Sequence, residues 1–310
     1  MITPVFILGI HGRSGTNFLF QLMGLHPDVI PPRHKGEDFL VAYLHHLEAY
    51  EQSLVHRWEE RWGGSAVKAT ELVRNLSDGL LRFLSPSDTH QSLGKTLVTK
   101  TPSTENIALF PKFFPDAKLV VITRDGRDVV ESGVRSGFWP YEVGFQEWNQ
   151  SARRLLAFKE AYRDIPDQLY IVKYEDLLSD LSQTLTGVLN YCGLSVEKFD
   201  WAAAASLPVF GSSTYRGDTK NLHWTPQAKS EKFKPTNRWE GWSYFLKSRY
   251  NWICGDSADK LGYPTVNIRS GFLAYLRNLG QDLIRILKNT FRPWIRPASP
   301  PLSKKIPQNG

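Results

Sequence analysis

A glycine-bearing turn close to the start of the chain has the residue types that bind an anion. It follows the apolar run at residues 5–9 and comprises Gly12, Arg13, Ser14, Gly15, Thr16 and Asn17. Glycines let backbone N–H groups approach an anion, the helix that begins here directs its positive dipole end at it, and arginine adds a fixed charge. The turn therefore predicts a site for a phosphate or a sulfonate group.

The order of residues in this turn differs from the phosphate loop of nucleoside triphosphatases. That loop reads G-x-x-x-x-G-K-[ST], whereas here no lysine follows Gly15 and the cation, Arg13, precedes it. This difference weakens the Mg²⁺-coordinating chemistry of that class. On this segment alone, a plain β-to-α turn with an N-capping Ser or Thr stays open as the alternative.

A second motif with phosphate-binding chemistry begins where the apolar run at residues 118–123 ends. It reads Arg124-Asp125-Gly126-Arg127-Asp128, and Ser132 follows two helical turns after Arg124. Open α/β sheets bind ligands at the carboxyl ends of their strands. We therefore predict that Arg124 and Ser132 hold one more phosphate, with a helix start of mixed charge as the alternative.

In this order, the two motifs resemble the cofactor-binding motifs of sulfotransferases that use 3′-phosphoadenosine 5′-phosphosulfate (PAPS). The resemblance extends to residues 25–29, 100–102, 174–177 and 261–263, and so covers roughly residues 4–264. It implies a P-loop-like sulfotransferase fold and transfer of a sulfuryl group from PAPS. The implied acceptor is a hydroxyl or amine of a carbohydrate, lipid, peptide or small natural product.

The resemblance also assigns donor-binding residues. It implies that the 5′-phosphosulfate is bound by Arg13, Ser14, Gly15, Thr16 and Asn17. It implies that the 3′-phosphate is bound by Arg124 and Ser132, and that Tyr174 helps to hold the nucleotide. A late basic loop usually completes the 3′-phosphate site, and its candidates here are Lys232, Lys234 and Arg238.

Sulfuryl transfer needs a base for the acceptor proton and cations near the leaving oxygen. Arg13 stands where many family members carry a lysine, and Lys100 is the candidate for a second cation. Cytosolic small-molecule sulfotransferases place a catalytic histidine where this chain has Pro102. Tyrosylprotein and glycosaminoglycan sulfotransferases instead resemble this chain in an acidic residue shortly after residues 26–29. We favour Glu37 as the base, with Asp38 as the second candidate. The alternative is that these two acidic residues are not catalytic and instead stabilise the first turn of a helix through its dipole.

The elements that must position these residues have the pattern of an α/β fold. Apolar, β-branched runs predict strands at residues 5–9, 97–100, 118–123 and 169–173. Helical patterns lie between them at residues 16–25, 127–135 and 145–162. Strands that are apolar on both faces and separated by helices indicate a parallel sheet flanked by helices.

The excess positive charge of the 310-residue chain lies at its carboxyl end. Residues 266–310 hold eight of the 38 basic and one of the 31 acidic residues, a net +7, and the remaining 30 and 30 cancel. Apolar positions recur there at helical spacing before a proline-rich stretch. We predict a sulfotransferase domain at residues 1–265. At residues 266–310 we predict a basic amphipathic helix followed by a disordered tail. We expect this segment to contact, through its helix, an anionic membrane surface or another chain.

Composition also indicates the cellular compartment and the kinds of ligand to expect. Only Cys192 and Cys254 are present and no apolar run reaches membrane-spanning length, so we expect a cytoplasmic, at most membrane-peripheral, protein with reduced thiols. Histidine spacings give no ligand set, so no metal is expected, and no nucleic-acid partner is expected. The alternatives left open are a P-loop kinase or nucleotide hydrolase and a non-enzymatic membrane-peripheral or nucleic-acid-binding protein.

Overall fold

A computed structural model describes residues 3–34, 36–62, 66–86, 94–163, 168–208, 234–268 and 271–295. The strands are β1 (Thr3–Gly9), β2 (Val29–Ile30), β3 (Thr96–Thr101), β4 (Lys118–Thr123) and β5 (Leu169–Lys173). The α-helices are α1 (Thr16–Met23), α2 (Leu44–Trp62), α3 (Ala66–Leu84), α4 (Phe110–Phe113), α5 (Gly126–Arg135), α6 (Tyr141–Ala161), α7 (Tyr174–Ser179), α8 (Leu181–Tyr191), α9 (Trp201–Ala205), α10 (Tyr244–Lys260) and α11 (Phe272–Ile295).

The five strands form one parallel sheet in the order β2-β3-β1-β4-β5. The chain leaves β1 toward β2 and β3 on one side, and β4 leads to β5 on the other side. The crevice at the carboxyl ends of β1 and β4 is therefore the topological switch point, where such sheets bind ligands. Both predicted phosphate motifs begin at this crevice, and the predicted α/β fold with a parallel, helix-flanked sheet is confirmed.

Successive side chains of β1 explain why its run is apolar throughout. Val5 and Ile7 belong to the apolar cluster that also contains residues of α1, α7 and α8. Phe6 lies on the opposite face, with its ring 5.4 Å from that of Phe110 and 4.7 Å from that of Phe114. A strand covered on both faces has no solvent-facing position, so the polar alternation of a half-buried strand is missing.

The predicted helices are present, with small differences at their ends. The helix expected over 16–25 ends at Met23, and the one expected from residue 145 begins at Tyr141, directly after Pro140. Pro140 has an extended backbone, and proline favours the start of a helix over its interior. None of the described helices is both long and apolar enough to cross a membrane.

The chain divides into two compact units. The first comprises Met1–Gly241 with Ile253–Thr265, and the second comprises Trp242–Trp252 with Val266–Gly310. All the predicted donor-binding and catalytic residues belong to the first unit. The predicted amphipathic helix is present as α11 in the second, and the predicted disordered tail lies outside the described residues. The functional division at residue 265 stays a prediction.

Candidate functional site

The turn between β1 and α1 is a tightly closed loop. Ser14 Oγ donates to His11 O at 2.7 Å and accepts from His11 N at 3.1 Å. Arg13 and Gly15 both have left-handed backbones, with φ of 72° and 99°. A Cβ at Gly15 would lie 2.4 Å from Cδ2 of Tyr174, so only glycine fits there. Thr16 and Asn17 form the first turn of α1, as predicted.

Arg124, at the end of β4, reaches across to this turn. Its Nη1 donates to Arg13 O at 2.7 Å, and its Nη2 donates to Pro235 O. Its guanidinium lies 4.7 Å from the ring centre of Tyr174. Its Nε is buried and has no hydrogen-bond partner within the described part of the chain. Arg124 therefore links the first motif, the second motif and the predicted nucleotide-binding tyrosine.

Three arginines converge at this point. Arg13 Nε donates to Ser132 Oγ at 3.2 Å. Burial, and then the positive charges of Arg124 and Arg238, lower the pKa of Arg13 to about 10. Burial, Arg124 and Arg135 likewise lower the pKa of Arg238. Like charges held together away from water raise the energy of the free protein, and a multiply charged anion between them would offset that repulsion.

Asp128 holds the late loop against this cluster. Its carboxylate accepts from the backbone N–H of Asn237 at 2.9 Å and of Arg238 at 2.7 Å. Arg238 Nε in turn donates to Lys234 O at 2.6 Å. Of the three candidates in the late loop, Arg238 is thus one of the clustered arginines. Lys234 contributes its backbone oxygen to the loop, and Lys232 lies outside the described residues. Sequence reasoning missed Asp128, although it lies within the second motif.

The burial of Asp128 leads to a pH prediction. Burial raises the pKa of Asp128 from 3.8 to about 6, against the opposing charge of Arg124. Because the folded chain binds this proton more tightly than the unfolded chain, the carboxyl favours folding below about pH 4 and loses that contribution as pH rises through 6. A ¹³C-carboxyl NMR titration of the aspartates should show one midpoint near pH 6 that is absent from Asp128→Asn. Aspartate midpoints that all lie below about pH 5 would contradict it.

Glu175 was also missed, and it ties the ends of two strands together. Its Oε1 accepts from Asp125 N at 2.9 Å, and its Oε2 accepts from the hydroxyl of Tyr263 at 3.1 Å. The Tyr263 hydroxyl also lies 3.0 Å from Thr123 Oγ1 at the end of β4. Glu175 directly follows Tyr174, so the segment that carries the tyrosine also fixes the start of α5. Its signal in the sequence was its position in Tyr174-Glu175-Asp176.

The predicted catalytic pair lies at the end of β3. Lys100 is only 3% exposed, and its Nζ is 3.6 Å from Oε1 of Glu37, whose side chain is 27% exposed. Burial lowers the pKa of Lys100, and Glu37 opposes that shift. In the sheet Lys100 pairs with Ile7 of β1, and a Cβ at Gly9, just before the glycine-bearing turn, would lie 3.2 Å from Cα of Pro102. The structure thus brings Glu37 and Lys100 together beside the turn.

Asp38, the second candidate base, is bound on both carboxylate oxygens. Oδ1 accepts from Leu40 N at 2.7 Å and from Thr101 Oγ1 at 3.1 Å, and Oδ2 accepts from Thr99 Oγ1 at 2.5 Å. Burial raises the pKa of Asp38, and these hydrogen bonds oppose the rise. Its backbone N–H donates to Lys100 O at 3.2 Å. Asp38 therefore fastens the Glu37 segment to the end of β3.

The clustered cations of the crevice suit an anionic ligand, and the neighbouring carboxylate of Glu37 suits proton transfer. Among the described residues, no group of three or more His, Cys, Asp or Glu side chains is arranged to hold a metal ion. The paired strand ends carry an arginine cluster beside a glycine turn, with a lysine and carboxylate one strand away. Such a site can bind phosphate groups and transfer a proton within the same crevice.

A solved sulfotransferase domain has a similar fold. The sulfotransferase domain of the Synechococcus PCC 7002 olefin synthase has 20% identity and a TM-score of 0.54, over 84% of this chain and 95% of that chain. Mouse sulfotransferase SULT7A1 complexed with PAP has 13% identity and a TM-score of 0.46, over 94% and 89% of the two chains. At such identities the likeness to the olefin synthase domain concerns the fold alone.

Comparison of the sequence with protein families gives the assignment. No match was found among curated proteins. The model of the sulfotransferase family matches residues 4–198, which include β1 from its second residue, β2 to β5, the turn, the Glu37–Lys100 pair and the second motif. This match covers more than half of the chain. The chain belongs to the sulfotransferase family.

Proposed function

We propose that this sulfotransferase takes its sulfuryl group from PAPS and transfers it to a hydroxyl or amine of an acceptor. The observation that carries the proposal is the convergence of Arg13, Arg124 and Arg238 at the switch point of the sheet. PAPS carries phosphate at both its 5′ and 3′ ends, so its binding calls for several fixed cations. It supplies, when bound, the sulfuryl group and a bisphosphate leaving group.

The residues of the crevice fit such a donor in charge. The buried Nε of Arg124, unpaired within the described residues, and the mutual repulsion of the arginines both favour an anion. Gly15 leaves the helix start open where any side chain would strike Tyr174. We assign the 5′ end of the donor to Arg13 and the α1 helix start, and the 3′-phosphate to Arg124, Ser132 and Arg238.

In this proposal each side chain has a separate task. Arg13 neutralises charge on the leaving group, and it does so as a fixed charge, since arginine stays protonated. Lys100 is a second cation at the neighbouring strand end. Glu37 is the base that removes the proton from the hydroxyl or amine of the acceptor. We assign this role to Glu37 because its carboxylate is partly exposed, whereas both carboxylate oxygens of Asp38 are occupied by hydrogen bonds. Asp38 positions Glu37.

Calorimetry tests the donor without knowledge of the acceptor. Adenosine 3′,5′-bisphosphate in the presence of EDTA should bind about 100-fold more tightly than ATP with Mg²⁺, because the site has cations for a 3′-phosphate but no P-loop lysine. Adenosine 5′-monophosphate is the matched ligand that lacks only the 3′-phosphate, and it should bind more weakly than the bisphosphate. Tighter binding of ATP with Mg²⁺ would support a nucleotide kinase or hydrolase and overturn the proposal.

The class of the acceptor can be identified by measuring the transfer of labelled sulfuryl groups to candidate acceptors. We propose an acceptor with a hydroxyl or amine, drawn from carbohydrates, lipids, peptides and small natural products. Incubation with ³⁵S-labelled PAPS and one pool of each class identifies the class by the labelled product. A pool that gains label with the wild-type protein but not with Arg13→Met, the variant expected to lose the donor, contains an acceptor for this site.

A further inference from the structure

Helix α11 (Phe272–Ile295) is fixed to its own compact unit by polar contacts. Asn278 is buried, and its Nδ2 donates to Ser248 Oγ at 3.2 Å while its backbone oxygen accepts from Arg249 Nη1 at 3.2 Å. One turn on, Asp282 accepts from Arg249 Nη2 at 2.8 Å and from Trp252 Nε1 at 2.8 Å. The inward side of the helix is thus its polar side.

The outward side of α11 is apolar. Nine large apolar side chains on it are at least 36% exposed: Phe272, Leu273, Tyr275, Leu276, Leu279, Leu283, Ile284, Ile286 and Leu287. At 100° per residue they occupy an arc of about 180°. A surface helix of a globular protein normally turns such a stripe toward the core. An exposed apolar patch of this extent marks a surface that binds something else.

The charge of the segment indicates what that partner is. Residues 266–310 carry a net +7, and Asp282, their one acidic residue, is already bound by Arg249. At 100° per residue Arg277 lies next to Ile284 at the edge of the apolar arc, whereas Arg285 lies on the opposite, polar side of the helix. An anionic bilayer surface attracts such a basic segment and offers an apolar layer for one face of a helix. A second copy of the chain would instead bring two segments of +7 together, which is unfavourable.

We propose that α11 is an interfacial membrane-binding helix that places its apolar face in the headgroup region of an anionic bilayer. The helix lies along the surface, because none of the described helices is apolar enough to span a membrane. Apolar burial and charge attraction act together in this mode, so binding requires both exposed leucines and anionic lipid. The proposal concerns where the protein resides and is independent of the donor assigned above.

Vesicle flotation of the full chain tests this surface. The protein should float with phosphatidylcholine vesicles that contain about 30% phosphatidylserine, and binding should fall about tenfold or more without the anionic lipid or in 0.5 M salt. The double variant Leu283→Glu with Leu287→Glu should reduce binding to the anionic vesicles by about tenfold or more. Both side chains are exposed, at 62% and 55%, so the fold tolerates the change.

A matched variant separates the position of the charges from their number. Tyr50→Glu with Leu178→Glu adds the same two negative charges at exposed sites of α2 and α7, and it should float like the wild type. Both variants should keep the circular dichroism spectrum and the melting temperature of the wild type, which shows that they are folded. Equal binding to neutral and anionic vesicles, or equal loss in both double variants, overturns the proposal. So does a dimer in light scattering that Leu283→Glu with Leu287→Glu dissociates while no vesicle binding occurs.

Discussion

Arg13→Met should weaken the binding of adenosine 3′,5′-bisphosphate by about 100-fold or more, without lowering the melting temperature of the free protein. Methionine keeps an unbranched apolar stem but removes the guanidinium, the cation that in our proposal binds the donor. The same cation is buried and repelled by Arg124 and Arg238, so the free protein gains by its loss. Calorimetry and thermal melting, each with and without the bisphosphate, measure the two effects separately.

Two further variants make this result interpretable. Arg163→Met removes the same charge from an exposed residue that pairs with Glu160, and it should bind the bisphosphate like the wild type. Arg13→Lys keeps a cation and should retain part of the binding. If Arg13→Met binds within about threefold of the wild type, the arginine cluster is not the donor site. A large fall in melting temperature would instead indicate that Arg13 stabilises the turn itself.

Glu37→Gln should lower the rate of sulfuryl transfer by about 10²- to 10⁴-fold and leave bisphosphate binding close to that of the wild type. The amide has the same shape as the carboxylate but cannot accept the acceptor proton. The measurement is single-turnover transfer of ³⁵S from PAPS to the acceptor found in the pools. Near wild-type transfer by a variant that still binds the bisphosphate would show that Glu37 is not the base.

Glu37 also faces Lys100, so its loss could act through the lysine. Removing a carboxylate 3.6 Å from the buried Nζ lowers the pKa of Lys100 further and favours the neutral amine. An acceptor with a more acidic hydroxyl needs less help from a base, and the loss should then shrink; a loss through Lys100 would be the same for all acceptors. Glu71→Gln, at an exposed position on α3, is the matched control and should transfer normally.

The sheet was predictable because its strands are short apolar runs that no helix period explains. β1, β3, β4 and β5 lie where β-branched residues cluster; β1, β3 and β4 are buried on most of their length, whereas β5 is mostly half-buried. β2 was not predictable, since Val29 and Ile30 alone have no period and become a strand only by pairing with β3. Likewise, α2 combines many charged residues with few core contacts, and no clean apolar stripe marks its position.

Those parts of the candidate site that lie in one contiguous motif could be predicted from the sequence. The parts that depend on contacts between residues far apart in the sequence could not. The turn at Arg13 and the start of α5 are each contiguous, so residue types and spacing were enough. The contact between Asp128 and the N–H of Arg238 joins residues 110 positions apart, and backbone donors carry no sequence signal. For the same reason, sequence could not separate Glu37 from Asp38: the hydrogen bonds of Thr99 and Thr101 to Asp38 depend on how β3 pairs.

The distance between the three arginines along the chain also bears on synthesis. Arg13, Arg124 and Arg238 come from an early turn, a middle strand end and a late loop, and the last is residue 238 of 310. Chains are made from the amino end, and the sheet from β1 to β5 is complete well before the late loop leaves the ribosome. A nascent chain can therefore hold a formed sheet and still be unable to bind nucleotide. With the donor site that we propose, the ability to bind the donor is complete only when the segment around Arg238 has been made.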